Sequence, residues 1–496
     1  MPPPYHPPEK SGAAPVSAAE LKKMFAHCAD FELRPIWPGL RETADAAVCW
    51  LDGLVSGTRV SEDVLRPLTD ALRLGAVENA ADDVERLLRG AVWSCSVKRH
   101  EVLDDVVNAL LRGSCAVVFD HARCAVTFET KTEATRSVSA PTMEKTIKGA
   151  KDAFVETLRT NSSLVRRKLR SAELKLEQTT VGRKSGTEVA ILYYNGIANP
   201  NTLAQLRARL DAIDIDGLMS AGNLEQYIVE RPKSLFPQLL HTERPDKFAA
   251  ELLSGRIGIL VDGLPLGFLL PATLAGFLHT AEDRAQNFLT ASALLLLRWL
   301  SLLISALLPA LFVAVAMYHQ EMIPTQLLLS MIDAKQQVPF SVALEVLIML
   351  VAFELLMEAG VRLPDPVGDT VSIIGALIVG QSAVDARVVS PITVIIVATT
   401  AICGFTQPSR DLDAALRALR LGMVFLAIFL GLFGIMLGMA AALWYLCTLE
   451  SFGVPYVAPF AEGGFRETLN ALLRTPLPTD RMREAALRTP DKRRQK

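Results

Sequence analysis

Phe340-Ser-Val-Ala-Leu-Glu-Val-Leu-Ile-Met-Leu-Val-Ala-Phe-Glu-Leu-Leu-Met357 sets two carboxylates, Glu345 and Glu354, inside a run that is otherwise almost wholly apolar. Further apolar runs occupy 300–317, just after Trp299, then 371–384, 392–405 and 421–446. A helix rises about 1.5 Å per residue, so about 20 residues cross the roughly 30 Å of a bilayer's hydrocarbon. The runs approach that length, except 371–384 and 392–405, which are short. The second half therefore reads as helices in lipid, where each unsatisfied backbone group costs several kcal/mol. A carboxylate at that depth costs about 2.5–3.5 kcal/mol, so Glu345 and Glu354 are expected to face protein, water or a partner charge. Nine positions separate them. At about 100° per residue they lie half a turn out of phase, so they cannot both face one axis.

The chain has 496 residues, a mean hydropathy of +0.29, a net charge of −2 and a pI near 6.4. Nearly all charge-rich sequence lies before residue 290 and after 450, which divides the chain into a soluble and a membrane half. The charge balance excludes nucleic acid as the main partner. The start, Met1-Pro-Pro-Pro-Tyr-His-Pro-Pro, has no apolar core of signal-peptide type, so the soluble half is expected to stay cytoplasmic. Seven cysteines and seven histidines are scattered without a CxxC or HExxH pattern. They read as free thiols and isolated rings, with no metal site and no cofactor. There is no P-loop, no G-x-G-x-x-G and no cluster of nucleophile and base, so the chain is not read as an enzyme.

Within the soluble half, Ala47-Val-Cys-Trp-Leu-Asp-Gly-Leu-Val55 and Ala190-Ile-Leu-Tyr-Tyr-Asn-Gly-Ile-Ala198 align at an offset of 143 residues. Leu110-Leu-Arg-Gly-Ser114 and Leu252-Leu-Ser-Gly-Arg256 align at 142, each leading into a β-rich run. Two registers that nearly agree point to a duplication. The fold class expected is an α/β cytoplasmic region of two duplicated subdomains followed by an all-α multi-span transmembrane domain. The divisions are a disordered or variable lead-in (1–45), subdomain 1 (46–130), a linking segment (131–188), subdomain 2 (189–290), the transmembrane domain (291–449) and a C-terminal tail (450–496). In Gly258-Ile-Leu-Val-Asp-Gly-Leu-Pro-Leu-Gly-Phe-Leu-Leu270, Asp-Gly between apolar runs predicts a tight hairpin. Leu203, Leu206, Leu210 and Ile213 predict a helix over 201–213. The basic stretch 147–170 reads first as a solvated helix face, with a head-group or partner surface as the alternative.

In the membrane half, the run 371–384 holds Ser372, Gly375, Gly380 and Gln381 and is followed by Asp385. Small and polar residues there suit either close helix packing or a narrow water path. With Glu345 and Glu354 they are the pore or gating candidates. Glu354, Glu358 and Arg362 at four-residue spacing offer a purely structural ion-pair ladder. Arg298 is a second possible partner charge, or a side chain that snorkels to the interface. The tail 462–496, with nine basic and five acidic residues, favours the cytoplasm, and so does the loop 406–420. If only one ordinary span separates them, these two readings conflict.

Leu307-Leu-Pro-Ala-Leu-Phe-Val-Ala-Val315 followed by His319-Gln-Glu-Met-Ile-Pro-Thr-Gln-Leu-Leu-Leu-Ser330 resembles the spore germinant-receptor A-subunit family of GerA type. Pro364-Asp-Pro-Val-Gly368, Val389-Ser-Pro391, Leu432-Phe-Gly-Ile-Met-Leu-Gly438, Ser451-Phe-Gly-Val-Pro-Tyr456 and, upstream, Gly255-Arg-Ile-Gly-Ile-Leu-Val-Asp-Gly263 fit the same pattern. The similarity covers roughly 45 to 460, and Glu321, Pro324, Thr325 and Gln326 are its motif positions. Gly149-Ala-Lys-Asp-Ala-Phe154, Asp369 and Arg387 depart from the family pattern.

The resemblance implies a multi-pass subunit in the inner membrane of a bacterial endospore, with its N-terminal domain on the cytoplasmic, spore-core side. It implies a B-type transporter-like nutrient-sensing subunit and a C-type lipoprotein subunit as partners. It also implies a homo-oligomer, such as a pentamer, set among membrane lipids and passing monovalent cations as a nutrient-gated channel. The alternatives are a paralogous germination-amplifying channel subunit of the stage V sporulation AF type, without its own nutrient sensor, and a secondary transporter.

Overall fold

Ala46-Ala-Val-Cys-Trp-Leu51 is buried along its whole length, with Val48 and Trp50 in one apolar core and Cys49 and Leu51 in another. That alternation belongs to a pleated strand covered on both faces. The computed structural model describes residues 15–36, 46–69, 84–92, 96–132, 141, 144, 146–362 and 380–495. Helix α1 (Ala18–Met24) precedes strands β1 (Phe31–Ile36), β2 (Ala46–Leu51), β3 (Val97–His100), β4 (Ser114–Phe119) and β5 (Cys124–Glu129). They form an antiparallel sheet in the order β1-β2-β4-β5-β3. Helix α2 (Leu103–Leu111) lays Leu103, Val106, Val107, Leu110 and Leu111 on one face of it. Each such side chain contributes about 1.5–3 kcal/mol by leaving water.

A second sheet repeats the plan. Helix α3 (Leu158–Lys168) leads to β6 (Leu174–Val181) and β7 (Thr187–Tyr194). Helices α4 (Pro200–Asp211) and α5 (Ala221–Ile228), strand β8 (Leu240–Thr242), helix α6 (Pro245–Ser254) and strands β9 (Ile257–Val261) and β10 (Gly267–Leu270) follow. The order β6-β7-β9-β10-β8 is that of the first sheet position by position. β2 and β7 carry the segments offset by 143 residues, while β4 and β9 follow those offset by 142. The β9–β10 hairpin turns through Gly263 at φ 83°, where an L side chain would be strained. Facing it, the Phe248 ring of α6 fills the space that side chains at Gly258 and Gly267 would take.

Three domain limits are corrected. Residues 15–36 of the expected lead-in form α1 and the edge strand β1, because Leu21, Phe25 and Cys28 have a core to enter. The linking segment 131–188 contains α3 and β6, so the second sheet begins at 174 rather than 189. The end of the tail, 481–496, belongs to the same compact body as the two sheets: 1–229, 239–271 and 481–496. The basic stretch on α3 is also not wholly a solvated face, because Arg166 is buried.

The other compact body comprises 230–238 and 272–480. Its long helices are α7 (Phe288–Tyr318), α8 (Thr325–Lys335), α9 (Val342–Arg362), α10 (Pro391–Phe405) and α11 (Arg410–Thr448); α12 (Phe465–Leu472) follows the small β11 (Glu450–Ser451) and β12 (Val454–Pro455) hairpin. By length and composition α7 and α11 suffice to cross a membrane. α9 is long enough but carries Glu345, Glu354 and Glu358, and α10, at 15 residues, spans only about 22 Å. The expected loop 406–420 is helical from Arg410, where the Ser409 hydroxyl caps the amide of Leu412. Helix α11 breaks at Gly431 (φ 60°, ψ −140°), a conformation that glycine alone tolerates. There the Tyr318 ring abuts the glycine and its hydroxyl donates to the Ile428 carbonyl.

Candidate functional site

Glu345 sits on the first turn of α9, fully buried, amid the apolar cluster of Val346, Leu350, Val313 and Val397. One carboxylate oxygen, Oε2, accepts from the Ser390 amide at 2.8 Å and from the Thr393 hydroxyl at 3.0 Å. The Ser390 and Thr393 hydroxyls are themselves 3.0 Å apart. Val389-Ser-Pro391 places them: Ser390 caps α10 and Pro391 opens it, which leaves the amide of 390 outside the helix ladder and free to donate. The other oxygen, Oε1, is buried with no hydrogen bond among the described residues, and the Lys335 ammonium stands 3.6 Å away. That separation is electrostatic contact rather than a hydrogen bond.

Glu354, two and a half turns along, faces a different neighbour, as the half-turn phase difference requires. Its Oε2 accepts from Arg417 of α11 at 2.9 Å, and Arg417 also lies 3.3 Å from Asp413. One turn beyond Arg417's helix position, Arg420 is 4% exposed and donates to the Ser305 carbonyl at 2.8 Å and hydroxyl at 2.6 Å. Two acids, Glu354 and Asp413, and two guanidinium groups are thus gathered where α7, α9 and α11 meet. Arg298, weighed as a partner for these acids, is bound instead to Asp283 at 2.6 Å. Burial pushes the Asp283 carboxyl up, but the Arg298 bonds and the Thr280 amide outweigh it and hold it below the usual carboxylate range.

Of the other sequence candidates, Gly380 is buried in a helical stretch over 380–385, with Val394 filling the space beside its Cα. Gln381 and Asp385 on that stretch are exposed. Ser372 and Gly375 lie outside the described residues. Glu321, Pro324, Thr325 and Gln326 are exposed where α8 begins, with Pro324 at its N-cap. The structure therefore joins Glu345 to Lys335, Ser390 and Thr393, and Glu354 to Arg417, and does not bring the exposed candidates into either group. Sequence reasoning missed Lys335, Thr393, Asp413, Arg417 and Arg420. The signal for the last three was present: charges at 413, 417 and 420 share one helical face running into an apolar stretch.

The chain is similar to known proteins over nearly its whole length. The chain is 36% identical over 477 residues to spore germination protein KA of Bacillus subtilis (strain 168), covering 96% of this chain and 87% of that one. It is 34% identical over 445 residues to spore germination protein GerLA of Bacillus cereus, covering 90% of each. The crystal structure of the N-terminal domain of the A subunit of the Bacillus megaterium spore germinant receptor GerK3 aligns at 27% identity and a TM-score of 0.43, over 54% of this chain and 99% of that one. The family model described as Bacillus/Clostridium GerA spore germination protein matches residues 19–486, and the chain belongs to that family.

Proposed function

We propose that the chain is the A-type membrane subunit of a spore germinant receptor, and that copies of it assemble around a passage for monovalent cations in the inner membrane of the spore. The observation that carries the conducting part is Glu345: a fully buried carboxylate with two hydroxyls at its side and one oxygen that has no hydrogen bond among the described residues, set among apolar helices. Such a group is costly in lipid unless it has a task or a partner charge. A B-type nutrient-sensing subunit and a C-type lipoprotein complete the receptor in this reading. An even number of crossings fits this reading, since residues 481–496 share one compact body with the α/β sheets that precede the helices. The side of the sheets is the spore core.

The test is flux. Full-length protein in liposomes, with Val394→Ala loosening the contact at Gly380, should pass K⁺ or Na⁺, and Glu345→Gln in that background should lower the rate. Liposomes that stay ion-tight with this and every other small-residue substitution around Gly380 would overturn the conducting reading.

A further inference from the structure

We propose that Glu345, with the Ser390 and Thr393 hydroxyls beside it, forms a binding site for a dehydrated monovalent cation, and that the Lys335 ammonium, 3.6 Å from Oε1, balances the carboxylate in the cation's place in the present conformation. The proposal deepens the channel reading, on which it rests for its role, but the binding itself is measured without any flux.

The donor set is one carboxylate and two hydroxyl oxygens, all hard ligands. Glu345 is fully buried, Thr393 is equally buried and Ser390 is 8% exposed, so an ion there would leave most of its water behind. A single carboxylate sets the charge: one positive charge neutralises it, whereas a divalent ion would leave a net charge in an apolar surround. The two oxygens of Glu345 are treated unequally. Among the described residues, Oε2 has an amide and a hydroxyl donor, while Oε1 has only the ammonium at 3.6 Å, beyond hydrogen-bond reach. The carboxylate's charge is thus balanced by a cation that does not fully satisfy it.

Lys335 is also poorly anchored. It is the last residue of α8, a helix with no buried residue, and its side chain is 35% exposed. Little packing is lost if α8 withdraws the ammonium, so a free cation competes with a tether whose retention costs side-chain entropy. Entry of an ion and release of α8 would then be a single linked equilibrium, with the affinity for one set by the stability of the other.

Full-length protein in lipid nanodiscs is unfolded thermally in LiCl, NaCl, KCl or N-methylglucamine chloride at constant ionic strength. Wild type should show a midpoint nearly independent of the cation. Lys335→Met should show a midpoint that rises with the concentration of at least one small cation over N-methylglucamine, and Lys335→Met with Glu345→Gln should lose that rise. Thr393→Val beside Lys335→Met should require about tenfold more cation for the same rise, the equivalent of one lost ligand. If Lys335→Met fails to fold, Lys335→Gln, which keeps a donor, is read in the same way. A midpoint blind to cation identity without the lysine, or a rise that survives Glu345→Gln, overturns the site. A cation-dependent rise in protein that remains ion-tight keeps the site and removes the channel.

Discussion

Arg166 and Asp30 lie 136 positions apart in the chain and meet as a two-pronged ion pair, Nε to Oδ2 at 2.9 Å and Nη2 to Oδ1 at 2.8 Å. The guanidinium is 1% exposed and its remaining nitrogen donates to the Leu174 and Ser171 carbonyls. This pair joins the two sheets. Alongside it the Ala29 amide donates to Leu176 and the Leu176 amide to His27, so the lead-in covers the edge of the second sheet.

Replacing Arg166 by Met should therefore destabilise the protein by about 3–5 kcal/mol, because a buried carboxylate and two carbonyls lose their donors together. Arg166→Lys keeps the charge but not the fork and should cost less. Denaturant unfolding of the full chain in nanodiscs measures both. A loss below about 1 kcal/mol for Arg166→Met would mean that Asp30 finds water or another cation.

The glycines facing Phe248 make a second case. A Cβ on Gly267 would stand 2.6 Å from the ring, and one on Gly258 closer still. Gly258→Ala should cost about 1–3 kcal/mol, since a packed ring held edge-to-face against Phe154 has nowhere to retreat. Phe248→Leu added to Gly258→Ala should recover part of that loss, giving a coupling of opposite sign to the single effects. Additive losses in the double mutant would show that the strain lies in the strand rather than in the ring.

These two cases mark what could be read from the sequence. The repeat at 142–143 residues, the Asp-Gly hairpin and the three- and four-residue spacing of Leu203, Leu206 and Leu210 are local periodicities, and they appear as β2 with β7, β9 with β10, and α4. Glu345 and Glu354 stood out because a charge in an apolar run is costly in lipid without a partner or a task. Their partners did not, because nothing in the order of residues says that 335, 390 and 393 will converge on 345. The lead-in misled for the opposite reason. A Pro-rich start hid Leu21, Phe25 and Arg166's partner Asp30, whose value comes only from a sheet edge far along the chain. Arg410 to Arg420 read as a loop because charge outweighed the helical spacing of Asp413, Arg417 and Arg420.

Glu177 supplies a pH dependence. Burial pushes its carboxyl up, but the hydrogen bonds from Arg207 and Tyr193 outweigh this and hold it below the ordinary value of 4.5. The Tyr193 hydroxyl is 2.7 Å away and Arg207 binds with both a 2.8 Å and a 2.5 Å contact. A carboxyl depressed in the folded state stabilises fully above its unfolded value and loses that contribution as pH falls through the folded one. The gap in unfolding midpoint between wild type and Glu177→Gln should thus be widest near pH 7 and shrink below about pH 4.5. A gap that is constant across the acid range would assign the effect of the mutation to packing.

The end of the chain offers the last expectation. Arg483 is 7% exposed at its side chain, donates to the Leu253 carbonyl at 2.9 Å and pairs with Asp491 at 2.9 Å. Arg256, buried beneath the terminal strap formed by residues 481–495, reaches the Pro271 carbonyl and lies 3.6 Å from Glu484. The Thr489 methyl fills the space over Gly255. The strap docks on the C-terminal end of α6 through these polar anchors together with the buried Ala486 and Leu487. Arg483→Ala should remove the central anchor and let the strap open locally while the sheets stay folded. Trypsin should then cut at Arg488 and Lys492 to Arg494 several-fold faster than in wild type, with cleavage from the same side of sealed vesicles as a site in the N-terminal lead-in. Equal cleavage rates would mean that the strap is held elsewhere, and cleavage from opposite sides would make the number of crossings odd.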